Sequence, residues 1–510
     1  MNIQVLLQMA ADAMGERVAA QVEDAVLTNA GLQAGAAGAA GWLAAQAAER
    51  VAYLGLNGLA LPVALFASAM AGRPFVPLNY RLADQELQAL VARCAPAVLI
   101  ADPQFAHRVN GIEGILSITC EAFMARAAQA APLVEPRADS NDVAVQLFTS
   151  GTTGTPKAAL LRHCHLSSYI LESVEFMGAD ATEAQLVTVP PYHIAGVSSV
   201  LSSVHAGRRS VILPSFTPEA WVALASREKV THAMVVPTML GRVLAELERT
   251  KETLPYLRHL AYGGGRMPLP VIRKAMERLP HVGFVNAYGL TETSSTIAVL
   301  GPQEHRDAIA GATEEERARL GSVGRPLPTL ELSIRDPDGA RLPAGTAGEI
   351  WVRGSQVSGE YLGQRSIRKD GWLPTRDAGW LDSAGFLFVD GRLDDVIVRG
   401  GENLSPGEIE DVLLRHSAVS DAAVIGVPDV EWGESVVAVV VARQGSSVAA
   451  GELKDWVRAA LRSAKTPELV IFRDALPYNE TGKLLRRTLR EEITAARAAT
   501  SASARAQQPD

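Results

Sequence analysis

The stretch Thr149-Ser-Gly-Thr-Thr-Gly-Thr-Pro-Lys157 gathers two glycines, five hydroxyl side chains and a lysine into nine residues. Glycine lets backbone amides approach an anion closely, hydroxyls donate to phosphate oxygens, and the ammonium adds a point charge. The segment therefore reads as a cradle for a nucleoside triphosphate. It is not a Walker A loop, because Pro156 stands where that loop has glycine and Ala158 where it has a magnesium-binding hydroxyl. Taken alone, these residues would also suit a surface turn.

Further segments carry chemistry of the same kind. Ala287-Tyr-Gly-Leu-Thr-Glu-Thr293 follows an apolar run, and Leu373-Pro-Thr-Arg-Asp-Ala-Gly379 precedes a glycine-bearing turn. Next come Gly391-Arg-Leu-Asp-Asp-Val-Ile-Val-Arg-Gly-Gly-Glu-Asn403 and Pro477-Tyr-Asn-Glu-Thr-Gly-Lys-Leu-Leu-Arg486. Tyr288 offers an aromatic face to a base, and Gly264 and Gly265 of Tyr262-Gly-Gly-Gly265 let that base lie against backbone on its other side. No catalytic Cys or Ser signature accompanies them.

The elements that must position these residues follow from hydrophobic rhythm. Apolar runs at 97–100, 186–189, 210–213 and 233–236 alternate with helical stretches, which implies parallel α/β layers. Residues 51–72 are uncharged for 22 positions, long enough to span a bilayer. They divide better into a buried strand at 51–56, a turn at Asn57-Gly58 and a buried helix at 59–71 with Pro62 in its first turn, followed by a strand at 75–78. After about residue 320 short strand-like runs with glycine turns predict a small β-rich subdomain. Beyond Arg392 the pattern is α+β, with helices at 406–414 and 450–460 and strands at 422–425 and 436–441.

The fold class expected is thus α/β with a smaller α+β C-terminal domain. Residues 1–391 form a large domain of layered parallel α/β subdomains plus the β-rich piece, 392–494 the C-terminal domain, and 495–510 an Ala/Ser/Gln-rich tail without periodicity.

Taken together, in this order, the five blocks resemble the adenylate-forming superfamily of acyl-CoA synthetases, firefly luciferase and peptide-synthetase adenylation domains. Within it the chain looks most like a bacterial fatty-acyl or aryl-CoA ligase. The likeness spans about residues 50–490, including Phe75-Val-Pro-Leu-Asn-Tyr-Arg81 and Trp432-Gly-Glu434. It implies ATP, Mg2+ and coenzyme A as cofactors and a small carboxylic acid as substrate. A carboxylate attacks the α-phosphorus of ATP, pyrophosphate leaves, and a thiol then takes the acyl group from the adenylate.

By the same resemblance Thr149, Ser150, Gly151, Thr152, Thr153, Gly154 and Lys157 hold the β- and γ-phosphates. Thr291 touches the α-phosphate and Glu292 ligates the metal, in keeping with magnesium's use of one carboxylate plus phosphates and water. Ala287, Tyr288 and Gly289 with Gly264 and Gly265 receive the adenine, and Asp377 with Arg392 the ribose. Lys483, beside Gly482 in a mobile C-terminal lid, bridges the attacking carboxylate and the α-phosphate; Asp394 is the hinge on which that lid turns. Gly400, Gly401 and Glu402 border the pantetheine tunnel, and Trp432 contacts CoA. His193, in Pro190-Pro-Tyr-His-Ile-Ala-Gly196, resembles the gate beside the acyl pocket.

Two departures from the family pattern stand out: Ala158 follows Lys157 where glycine is frequent, and Arg376 precedes Asp377 where a glycine is common. A mostly apolar wall of His193, Val197, Val236, Tyr262 and Ala287, with Gly289 in place of a blocking tryptophan, favours a hydrophobic acyl group larger than acetate. A ligase that loads an acyl carrier protein would share every adenylation residue, and a luciferase-like oxidative use or a nucleotide-binding relative without turnover fits less well.

Charge and composition narrow the partners. Net charge is −8, from 48 basic and 56 acidic residues, and no basic run tracks a nucleic-acid backbone. Lysine is scarce, eight in the chain, and two of them sit in the glycine-bearing motifs. Three scattered cysteines, Cys94, Cys120 and Cys164, argue against a disulfide or zinc framework and for a reducing compartment. Residues 1–20 lack a basic segment ahead of an apolar one, so no signal peptide, no transmembrane segment and a cytoplasmic location are expected. Self-association into a homodimer stays open.

Overall fold

A computed structural model describes residues 1–149, 156–400, 402–429, 431–461, 463–478 and 484–505. Two large mixed sheets carry the N-terminal part. In the first, Arg50–Leu54, Phe75–Pro77, Ala97–Ala101, Ile115–Thr119 and Val143–Thr149 run parallel, and Lys157–Arg162 turns back antiparallel beside the last of them. In the second, Val18–Val22, Ala184–Val187, Arg209–Ile212, His232–Val235, His259–Gly263 and Gly283–Leu290 are parallel, with Ser295–Leu300 antiparallel at one side. The runs that lack alternation lie inside these sheets, covered on both faces, as parallel strands must be.

The uncharged stretch resolves as buried core. All twelve residues of helix Ala60–Ala71 are buried, packed chiefly on helix Asn29–Ala44, and Gly72 ends the helix in a left-handed conformation. No helix among the described residues is long and apolar enough to cross a membrane.

Two smaller sheets follow. Glu331–Arg335, Gly348–Arg353, Leu373–Leu381 and Leu387–Arg392 form an antiparallel four-stranded sheet, where the glycine-punctuated runs predict one. The C-terminal sheet has a period-two core: Val436, Ala438 and Val440 pack with Ile409, Leu413 and Leu453 of helices Pro406–Leu414 and Ala450–Ala460, whereas Val437 and Val439 pack with Leu489 and Ile493 of helix Arg486–Arg505. That last helix runs on to Arg505, so the stretch expected to fray from residue 495 begins as helix. Leu489 and Ile493 lie one turn apart and dock the helix, and its alanines carry it onward.

Polar contacts join the lobes, among them Ser405 Oγ to the Asp390 carbonyl at 3.4 Å. Arg266, after strand His259–Gly263, donates from Nη2 to Asp411 Oδ2 of helix Pro406–Leu414 at 2.5 Å. Gly407 makes room for it, since a Cβ there would lie 1.8 Å from Arg266 Nη1.

Burial also sets an acid limit on stability. His163, His165, His193 and His305 are held neutral, their pKa lowered by desolvation to about 4, and that of His232 to about 3. The unfolded chain takes up these protons near pH 6.5 and the fold does not, so their contribution is complete above about pH 6.5 and is lost as pH falls toward 4. The thermal midpoint is expected to drop steeply between pH 6.5 and 4.5. A midpoint that stays level over that window would show that these rings protonate in the fold.

Candidate active site

Gly264, Gly265, Ala287, Tyr288 and Gly289 lie toward the carboxyl ends of parallel strands, where open α/β sheets leave a crevice. Strand His259–Gly263 ends in Gly264, at φ +77°, and Gly265, both exposed. Strand Gly283–Leu290 carries Ala287, Tyr288 and Gly289 beside them, with Gly263 in register with Ala287. Close approach dictates two of these glycines: a Cβ at Gly263 would lie 2.3 Å from the Ala287 carbonyl oxygen, and one at Gly289 only 1.9 Å from that of Ser295. The bulge between Tyr288 and Gly289 then turns the chain into the short helix Thr291–Thr293. Buried Gln356 ties this turn, donating to the Thr293 and Thr296 carbonyls at 2.9 and 2.8 Å.

Tyr288, Asp377 and Arg392 come together although far apart in the chain. The Tyr288 hydroxyl donates to Asp377 Oδ2 at 2.6 Å, and Arg392 Nε lies 3.2 Å from Asp377 Oδ1. Asp377 and Arg392 are paired across adjacent strands, which fixes their contact by register. Burial and the neighbouring Asp377 carboxylate push the Tyr288 phenol well above its usual range, so it stays a hydroxyl that donates. Arg376 occupies a left-handed conformation at φ +60°, which a glycine would take without strain. Its guanidinium binds both carboxylate oxygens of Asp394, at 2.9 and 3.2 Å.

The strands on either side of residues 150–155 pair antiparallel. Thr149 pairs with Lys157, the first residue of strand Lys157–Arg162. Ser150, Gly151, Thr152, Thr153 and Gly154, like Gly401 and Lys483, lie outside the described residues. Beside this strand pair the Lys157 ammonium sits 5.7 Å from the centroid of the Tyr361 ring, and the Tyr361 hydroxyl donates to Glu292 Oε1. The Glu292 carbonyl in turn accepts from the amides of Ser358 and Gly359, at 2.9 and 3.2 Å. Arg93 closes the other side, stacked 4.9 Å over Phe148 and donating to the Pro156 carbonyl at 2.9 Å. Sequence reading missed Tyr361, Gln356 and Arg93, whose partners are set by packing alone.

A separate group stands on the C-terminal sheet. Arg399 and Glu402 are paired across a hairpin, and the amide of Gly400, at φ +56°, donates to the Trp432 carbonyl at 2.8 Å. Trp432 is 45% exposed, with Arg399 5.6 Å from its ring. His193 caps helix Ile194–Ala206, its ring 4.7 Å from that of Tyr192, and Tyr192 packs edge-on to Tyr80. His193 Nε2 is enclosed and has no hydrogen-bond partner among the described residues. The proposed acyl wall needs one correction: Tyr262 is fully buried, its hydroxyl bonded to His305 Nε2 at 2.8 Å, because it points from its strand into the helix-covered core.

The donor set suits the groups implied. Glu292 supplies one hard carboxylate beside a cation, and no cluster of three or more metal-ligating side chains occurs among the described residues. Cys94 and Cys120 are pushed up to about 12 by burial, which keeps both as inert thiols.

A glycine-lined crevice at strand carboxyl ends, flanked by an aromatic residue and an acid–arginine pair, defines a nucleotide-binding α/β enzyme. The chain belongs to the AMP-binding enzyme family, whose profile matches residues 7–362, with the AMP-binding enzyme C-terminal domain at 408–483. Indoleacetate–CoA ligase of Aromatoleum aromaticum is 33% identical over 462 residues, covering 87% of this chain and 88% of its own. Feruloyl-CoA synthase of an Amycolatopsis species is 34% identical over 450 residues, covering 87% and 89%. Among solved structures, the o-succinylbenzoate CoA synthetase of Bacillus subtilis in complex with its acyl-adenylate superposes with a TM-score of 0.82 at 32% identity, covering 95% and 97%.

Proposed function

We propose that this protein is an ATP-dependent ligase that converts an apolar, aromatic carboxylic acid first to its acyl-adenylate, with loss of pyrophosphate, and then to the CoA thioester, with loss of AMP. The observation that carries the reading is the Tyr288–Asp377–Arg392 group beside the glycine-lined crevice. In this reading the Asp377 carboxylate, oriented by Tyr288 and Arg392, accepts from the ribose hydroxyls. Tyr288 and the Gly264–Gly265 backbone sandwich the base. Related ligases named for indoleacetate, ferulate and o-succinylbenzoate support an aromatic acid.

In this reading residues 149–157 hold the terminal phosphates, and Thr291 hydrogen-bonds the α-phosphate. A magnesium ion would be held by Glu292 and would offset phosphate charge. Tyr361 then acts from behind, fixing the Glu292 carboxylate and bearing the Lys157 cation on its ring face. Residues 392–494 act as the lid that carries Lys483, and Asp394 is its hinge. Arg376 would hold that hinge in the present orientation.

ATP–pyrophosphate exchange measured across fatty, aryl and arylalkanoic acids, followed by detection of acyl-CoA, tests the whole. Strongest exchange with aromatic acids and transfer to free CoA is the expected result. Exchange without acyl-CoA, but with transfer to a holo carrier protein, would replace the acceptor. His193→Ala is expected to change kcat/KM among acids by about tenfold, because about 1–3 kcal/mol of pocket contact is at stake. Since His193 is neutral above about pH 5, its pKa being lowered to about 4 by desolvation, wild-type acid preference should not vary with pH from 6 to 8. Identical preferences in mutant and wild type would remove His193 from the pocket.

A further inference from the structure

Two adjacent serines just beyond the short helix Thr291–Thr293 hold backbone conformations that L-residues rarely adopt, Ser294 at φ +58° and Ser295 at φ +128°. Neither is a glycine, so nothing in their own chemistry favours the kink. Such conformations persist only where the surroundings over-determine them. Gln356, wholly buried beyond strand Gly348–Arg353, supplies the central restraint. Its amide nitrogen bridges the carbonyls of Thr293 and Thr296, the residues on either side of the kinked pair, at 2.9 and 2.8 Å. The Thr293 hydroxyl accepts from the Leu290 amide at 3.0 Å and donates to the Ser295 carbonyl at 2.8 Å, and Gly289 has no Cβ to meet that carbonyl.

Two carbonyl oxygens can be met only by the nitrogen of the Gln356 side chain, which fixes its orientation. Its Oε1 is left buried with no partner among the described residues. An apolar side chain would fill the same space without orphaning an acceptor, so the donors are what the position uses. The residues that follow grip the turn further. The amides of Ser358 and Gly359 hold the Glu292 carbonyl, and the Tyr361 hydroxyl holds its carboxylate.

We propose that Gln356 is a positioning residue for the metal ligand. By pinning the Ser294–Ser295 pair it fixes where the Thr291 hydroxyl and the Glu292 carboxylate stand, and it acts only through that turn. This rests on the reading above, in which Glu292 holds magnesium and Thr291 meets the α-phosphate. With a single protein carboxylate on the ion, the placement of that carboxylate sets how much the ion adds to nucleotide binding. Without Gln356 the serines relax toward ordinary φ values and the Glu292 end of the turn shifts with them.

The test is a ratio of affinities. ATP is titrated calorimetrically into the full chain without any carboxylic acid, once with Mg2+ and once with EDTA. General loosening of the fold weakens both titrations and cancels in the ratio, whereas a misplaced metal ligand lowers it. In Gln356→Met, which keeps the bulk and loses the donors, we expect the gain from Mg2+ to fall at least fivefold. Gln356→Asn, one methylene short of spanning both carbonyls, should show the same fall and carries the test if the methionine variant folds poorly. Glu292→Gln is the reference. No fall in that variant would overturn the metal reading and this inference with it. A fall there, with an undiminished gain in the folded Gln356 variants, would overturn the positioning role alone.

Discussion

Replacing Lys483 with alanine is expected to lower ATP–pyrophosphate exchange by about 10²–10³-fold, while acyl transfer from supplied acyl-adenylate to CoA stays within a few-fold. The reason is electrostatic. A carboxylate must approach a phosphoryl group that is itself negative, and two unit charges 4 Å apart repel by about 4 kcal/mol at an effective dielectric near 20. One ammonium offsets most of that in the first half-reaction. The second half-reaction attacks the uncharged acyl carbonyl of the mixed anhydride and not its phosphorus, so the same group has little left to neutralise. Lys483 itself is outside the described residues, and the residues on either side of it are well held. Tyr478 and Leu484 pair antiparallel on either side of it, the Tyr478 hydroxyl donates to Asp421 at 2.9 Å, and Arg486 is bound to the Glu410 carboxylate. A bulky residue at Gly401 should do the reverse, sparing exchange and blocking thioester formation. Equal loss of both half-reactions in Lys483→Ala would sink this division of labour.

Asp377→Ala should raise the KM for ATP by roughly a hundredfold or more, because hydrogen bonds to a charged acceptor contribute about 1.5–3 kcal/mol each and two ribose hydroxyls are at stake. The same change leaves the Tyr288 hydroxyl and the Arg392 guanidinium without their shared carboxylate. Orphaning a buried donor costs about 1–3 kcal/mol, so the thermal midpoint falls as well. Asp377→Asn separates the two effects, since an amide oxygen still accepts from Tyr288 while the charge that pairs with Arg392 is gone. Tyr288→Phe gives a complementary control: it removes the donor but keeps the aromatic face, and ATP affinity should change far less than in Asp377→Ala. An unchanged ATP dependence in a folded Asp377→Ala protein would place the ribose elsewhere.

Both residues were singled out by the resemblance of their motifs to the adenylate-forming family. Phosphate recognition needs particular groups at short spacing on one loop, so Thr149 to Lys157 reads as a phosphate cradle without any knowledge of packing. Hydrophobic rhythm did the same for layers and lobes: an uncharged run with an internal turn became strand, turn and a wholly buried helix at Ala60–Ala71. Prediction from composition was weaker where propensity alone spoke. The alanine-rich end lacks an apolar stripe, yet it extends a helix already docked by Leu489 and Ile493, as far as Arg505.

Contacts between residues remote in sequence were decided only in three dimensions. Tyr361 reaches Glu292 because its two-residue strand lies along the edge strand that begins at Lys157. Tyr262 turns into the core because strand alternation, not composition, chooses its face. Arg376 meets Asp394 because tertiary packing brings separate elements side by side. A side chain's chemistry is written in its own atoms, whereas its partner is whatever the closing of the chain places within a few ångströms.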